Sequence, residues 1–173
     1  MNGIPTVLRD LYYGERALEQ DLISTAERHP AEHEVHHVAI DLARWSHEHA
    51  EHLARAAEPQ GLHLPDPAVP PTEWERTERP DYALDEPSDS DLSLLGDLRA
   101  LHLAATGNSL YWEMLAQAAQ ATGDSCLLEL STACHPQTLR QRHWTNTMIK
   151  TLSPQLLSKA NGPHEADGSK AKQ

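Results

Sequence analysis

Polar side chains that stand where helical spacing calls for apolar ones carry the chemistry of this sequence. In the series Leu8, Leu11, Glu15, Leu18, Leu22 a glutamate interrupts a three-and-four leucine stripe. Glu15 is therefore turned toward whatever core the stripe packs into. A buried carboxylate is costly unless it meets a cation, a metal or hydrogen-bond donors. Further along, Ser46-His47-Glu48-His49-Ala50-Glu51-His52 is the densest ionisable run in the chain. His49 and His52, three apart, continue the stripe of Leu42 and Trp45, so two imidazoles share one helical face and can hold one ion. Glu48 borders that face. Glu113 beside Trp112, His102 beside Leu98 and Leu101, Glu129 beside Leu128, His135 just before Pro136, and His143 two turns beyond extend the set.

Each of these has a plainer reading. The chain holds 12 His, so any one of them can simply be the polar dressing of a solvated helix. Glu15 can be half of a structural ion pair, with Arg44 at a similar level when residues are counted outward from the turn between the first two helices. Several histidines together also allow a pH-responsive bundle.

The elements that must position these groups are helical. The spacing predicts helices over 6–28, 31–57, 90–121 and from Asp124 or Ser125 to about Leu152. Pro5 suits the start of the first, and His29-Pro30 ends it. Gly123 ends the third, and Asp124 or Ser125 caps the fourth. Pro136 is expected to kink or divide that last helix, leaving the Thr132 carbonyl without its partner. Residues 58–89 hold Pro59, Pro65, Pro67, Pro70, Pro71, Pro80 and Pro87 and cannot form a regular helix. Residues 158–173 are expected to be a disordered polar tail, leaving 1–157 as a single domain.

Four helices in two hairpins, joined by one long connection, predict an all-α four-helix bundle. If the second and third helices run parallel, His49 and His52 fall level with Glu113 and Glu129, with Glu15 and Glu48 at the margin. That mixed Glu/His set suits iron or manganese. If the helices simply alternate up and down, His49 and His52 instead meet His102 and His143, an all-imidazole set better suited to zinc, copper or haem.

The inward glutamate in Tyr12-Tyr13-Gly14-Glu15-Arg16-Ala17-Leu18-Glu19, the acidic and histidine run on the second helix, the long Pro-rich crossover and Glu113 resemble the ferritin-like superfamily. The resemblance implies a crossover bundle over 6–152 and a core iron or manganese site, with ferroxidase, peroxide-consuming or oxygen-activating chemistry. Members with a dinuclear centre carry a Glu on the first and third helices and Glu-x-x-His on the other two. Here Glu48 is followed three residues later by Glu51, and Glu129 by Thr132. His49/His52 is the alternative pair, and His135 completes the candidate metal ligands. By spacing alone, His33/His37 and His47/Glu51 also match the ligand pairs of haemerythrin-like bundles.

Composition narrows the partners. Lys+Arg 14 against Asp+Glu 26 gives a net charge of −12, which argues against nucleic acid and against anionic membranes. Nothing resembles a secretory leader at Met1-Asn2-Gly3-Ile4-Pro5, so a cytoplasmic location is expected. Cys126 and Cys134 lie roughly 12 Å apart along one helix, too far for a disulfide. There is no Gly-rich phosphate loop, nucleophile elbow or His-Glu-x-x-His, and the sequence leaves open whether the chain is an enzyme. The expectation is a ferritin-like bundle, redox-active and able to form a homo-oligomer, that holds a transition metal in its core; the alternative is a non-catalytic binding or assembly module that has lost the site.

Overall fold

A computed structural model of the chain describes residues 3–70 and 90–159. Four helices carry the fold: α1 (Ile4–Arg28), α2 (His33–Ala57), α3 (Ser90–Thr122) and α4 (Ser125–Lys159), with a 3-10 turn at Glu58–Gln60. Among the described residues there is no strand, and no helix is long and apolar enough to cross a membrane. Pro5 sits in the first turn of α1, where its missing N–H would have had no partner anyway. Gly123 takes a positive φ of 70° and closes α3: its N–H reaches Gln120 O and that of Asp124 reaches Ala119 O. Asp124 Oδ1 then accepts the Leu127 N–H at 3.1 Å and caps α4.

Helix directions follow from which residues meet. Arg28 and His29, at the end of α1, bind Asp97 near the start of α3. Glu15 meets Trp112 further along, so α1 and α3 are antiparallel. His49 meets Gln137 and Leu42 meets Gln141, so α2 and α4 are antiparallel as well. With two antiparallel hairpins, α2 and α3 must run parallel, and the end of α2 lies at the opposite end of the bundle from the start of α3. The simple up-down alternation is not the order seen. After the 3-10 turn the chain runs along the outside of α1: the Tyr12 hydroxyl donates to Pro65 O at 2.7 Å, and the Arg16 guanidinium donates to Asp66 O and Val69 O. The remainder of the Pro-rich stretch and residues 160–173 of the expected tail lie outside the described residues.

Helix α4 differs from expectation. It runs unbroken through Pro136 and Pro154 to Lys159. Both prolines are exposed, on a side where water can take the place of a lost backbone bond. The opposite face carries Leu127, Cys134, Thr138, Gln141, Thr145, Met148 and Leu156, all buried. A continuous inward stripe on both sides of each proline holds the helix in one piece.

The core divides into apolar layers. One lies at the α1 N-terminal end around Leu8, Leu11, Tyr12, Leu53, Trp112 and Leu115. A second surrounds Leu18, Leu22, Leu42 and Leu101, and a third Leu94, Leu98 and Met148. Polar side chains from all four helices meet between the first two. Gly14 lets Asn108 pack directly on the α1 backbone, since a Cβ there would collide with the Asn108 side chain.

Candidate functional site

Glu15 and His49 are fully buried and face each other from antiparallel helices, His49 Nδ1 lying 3.4 Å from Glu15 Oε1. The inward spacing of α1 (8, 11, 15, 18, 22) and of α2 (42, 46, 49, 53) puts them there. Trp112 on α3 donates its indole N–H to the same Glu15 oxygen at 2.9 Å. Thr138 on α4 donates its hydroxyl to it at 3.4 Å. His49 Nε2 lies 2.7 Å from Gln137 Oε1, and its ring meets Trp112 edge-on at 5.6 Å. Glu15 Oε2 has no hydrogen-bond partner.

Burial by itself would pull the His49 pKa down. The adjoining Glu15 carboxylate, helped by the Gln137 carbonyl and the charge of Glu48, outweighs it, and the pKa is raised above its ordinary value. The protonated ring can donate from Nε2 to Gln137 while Nδ1 faces Glu15. The pair is then neutral overall, which lowers the cost of holding two charges away from water.

One helical turn away, Gln141 donates to Ser46 Oγ at 2.8 Å and to Leu42 O at 3.1 Å. The inward residues three apart are thus Ser46/His49 on α2 and Thr138/Gln141 on α4, with Trp112 inward on α3.

The other expected ligands are not brought to this point. Glu48, His52, Glu113 and Glu129 are exposed. His52 was expected on the inward face; Leu53, four residues from His49 and therefore nearer its phase, takes that place. His52 Nδ1 instead lies 3.9 Å from Cys134 Sγ. His135 Nε2 lies 2.9 Å from Ser109 Oγ and 4.0 Å from Glu113. Glu113 approaches the same ring nitrogen as Ser109, so this is no relay of the serine-hydrolase kind, and Ser109 is wholly buried. Burial holds the His135 pKa below its ordinary value, with Arg142 adding to the effect and Glu113 opposing it. His102 is tied to Thr145 and the Arg142 carbonyl on α4 and His143 is exposed. The all-imidazole set does not converge. Arg44 pairs with Asp41 on the surface; the partner of Glu15 is His49.

Sequence reasoning missed Ser46, Trp112, Gln137, Thr138 and Gln141. A signal was present: Leu127, Ser131, Cys134, Thr138, Gln141, Thr145, Met148 is an unbroken four-three series that treating Pro136 as a break conceals.

A metal does not fit this arrangement. A resident iron, manganese or zinc centre in a closed bundle core, where water cannot complete the shell, needs at least three or four protein donors. Glu15 and His49 supply two, and two hydrogen-bond donors already occupy Glu15 Oε1. Among the described residues no three His, Cys, Asp or Glu side chains are grouped to hold an ion. Burial, reinforced by the charges of Glu15 and Glu48, pushes the Cys134 thiol up to about 12.

Compared with known proteins, the chain matches no family model, no curated protein and no solved structure.

Proposed function

We propose that this chain is a ferritin-like bundle in which a hydrogen-bonded polar layer has replaced the dinuclear metal centre, and that it acts as a non-catalytic assembly module. The observation that carries the reading is the Trp112 indole, which donates to Glu15 from the inward position of α3 where a second glutamate would bridge two ions. Ser46, Thr138 and Gln141 support it in the same way: each is a neutral, buried side chain on an inward face, where a dinuclear centre would call for ligands. The parallel run of α2 and α3 agrees with crossover topology.

The test is metal content. The full chain is reconstituted anaerobically with Fe2+ or Mn2+, desalted and analysed by mass spectrometry of the elements. The expected result is no stoichiometric iron or manganese that depends on the core. One or two ions per chain, lost in His49→Gln and in Glu15→Gln, overturn the reading. Light scattering reads the assembly half, with an expected mass that is a multiple of the 19.2 kDa chain.

A further inference from the structure

At the start of α2, His33 and His37 stand four residues apart, both exposed. Their rings are stacked nearly parallel, with centroids 6.4 Å apart and planes inclined by 14°. Residues at this spacing sit one above the other on a helix. The neighbouring His36 is fixed differently: its Nδ1–H donates to Ala26 O at 2.8 Å, across the turn between α1 and α2. Held there, it lies edge-on to His37 at 5.0 Å and buttresses that ring.

We propose that His33 and His37 chelate one divalent first-row transition-metal cation of the Zn2+, Ni2+ or Cu2+ class. Imidazole nitrogens are preferred ligands of these ions. Metal–nitrogen bonds of about 2.0–2.1 Å put two such nitrogens roughly 3–4 Å apart. Both side chains are exposed, so their rings are free to turn and bring one nitrogen of each to a shared ion. Two side chains fill two coordination positions and water fills the others, so the site is open on the solvent side. The positive end of α2 opposes a cation, whereas Glu32 and Glu34 on either side of His33 and the net charge of −12 favour one. Binding would also staple a helix start that lacks a side-chain cap, since Glu32 makes no capping bond. The site is remote from the Glu15–His49 layer and does not depend on what that layer does.

The full chain is titrated with ZnCl2 by calorimetry, beside His33→Gln, His37→Gln and His49→Gln. The expected result is one Zn2+ per chain whose affinity falls in both surface variants by no less than the roughly 10–100-fold that a lost outer-shell partner costs. His49→Gln should keep it. Cu2+ electron paramagnetic resonance should show two coupled nitrogens in the parent and fewer in either surface variant. Unchanged Zn2+ affinity in His33→Gln or His37→Gln, or absence of Zn2+ binding by the parent, overturns the proposal.

Discussion

Trp112 and Glu15, 97 residues apart in the chain, share a hydrogen bond of 2.9 Å in which the indole N–H donates to the carboxylate inside the bundle. The bond joins α3 to α1 at the level where His49 and Thr138 arrive from α2 and α4. It anchors the polar layer. Replacing Trp112 with Phe removes the donor and keeps most of the apolar bulk. A hydrogen bond to a charged group contributes about 1.5–3 kcal/mol, and leaving the buried acceptor short of a partner adds to the loss. Trp112→Phe is expected to destabilise the fold by about 2–4 kcal/mol, read by urea denaturation. A loss no greater than that of Leu→Val-type trimming would show that the bond is incidental.

The His49 imidazolium makes stability depend on pH in a defined direction. Its folded pKa is raised, so the native state binds the proton more tightly than the unfolded chain does. The stabilisation it gives is complete below the ordinary histidine pKa of about 6.5 and is lost as pH rises through the raised folded value. Unfolding free energy measured from pH 5.5 to 9 should therefore fall in the parent relative to His49→Gln, and the difference between them should flatten at the alkaline end. The groups that face His49 are Glu15, Gln137 and the charge of Glu48; the neutral variant isolates their effect on the ring.

The parts of this layer that could be read in the sequence, and the parts that could not, have a common physical cause. Glu15 and His49 are ionisable residues on clear leucine stripes, and helical phase alone turns them inward. His52 looked equivalent because three residues and four residues both return near the same face; Leu53 holds the closer phase, and the more apolar side chain is the buried one. Glu113 and Glu129 lie about 100° and 200° around their helices from Trp112 and Leu127, which are the residues buried there. Trp112, Thr138 and Gln141 were passed over because a tryptophan reads as core, and a threonine and a glutamine after Pro136 read as a new segment. The helices themselves were legible to within two residues at most ends, since proline and glycine punctuate them. The exception is α4, where a long buried stripe outweighed the prolines.

Thiol chemistry offers a check on how dry the layer is. Cys126 is exposed and Cys134 buried, and the Cys134 thiol is pushed up to about 12, by burial first and then by Glu15 and Glu48. At pH 8 the native chain should expose one thiol to Ellman's reagent, and peptide mapping should place the label on Cys126. Cys134 should react only once denaturant opens the bundle. Rapid native labelling of Cys134 would mean that solvent reaches the inner face of α4.

Arg16 makes two of the three bonds that hold the outer strap to α1. Only 5% exposed, it donates to the Tyr12 hydroxyl at 3.1 Å and to the carbonyls of Asp66 and Val69 at 3.2 and 2.7 Å. Its charge is thus surrounded by neutral oxygens. The guanidinium needs those oxygens, because a buried charge left without partners is costly. Tyr12, which donates to Pro65 O, holds the strap one turn earlier. Arg16→Met keeps much of the apolar bulk of the side chain and removes all three hydrogen bonds. Hydrogen exchange of the 62–70 segment should then rise by at least about tenfold, equivalent to about 1.4 kcal/mol of local opening. Exchange inside α3 and α4, which Arg16 does not touch, should stay unchanged. Equal loss of protection across all four helices would instead mean that Arg16 supports the bundle as a whole and that the strap is not a separate unit.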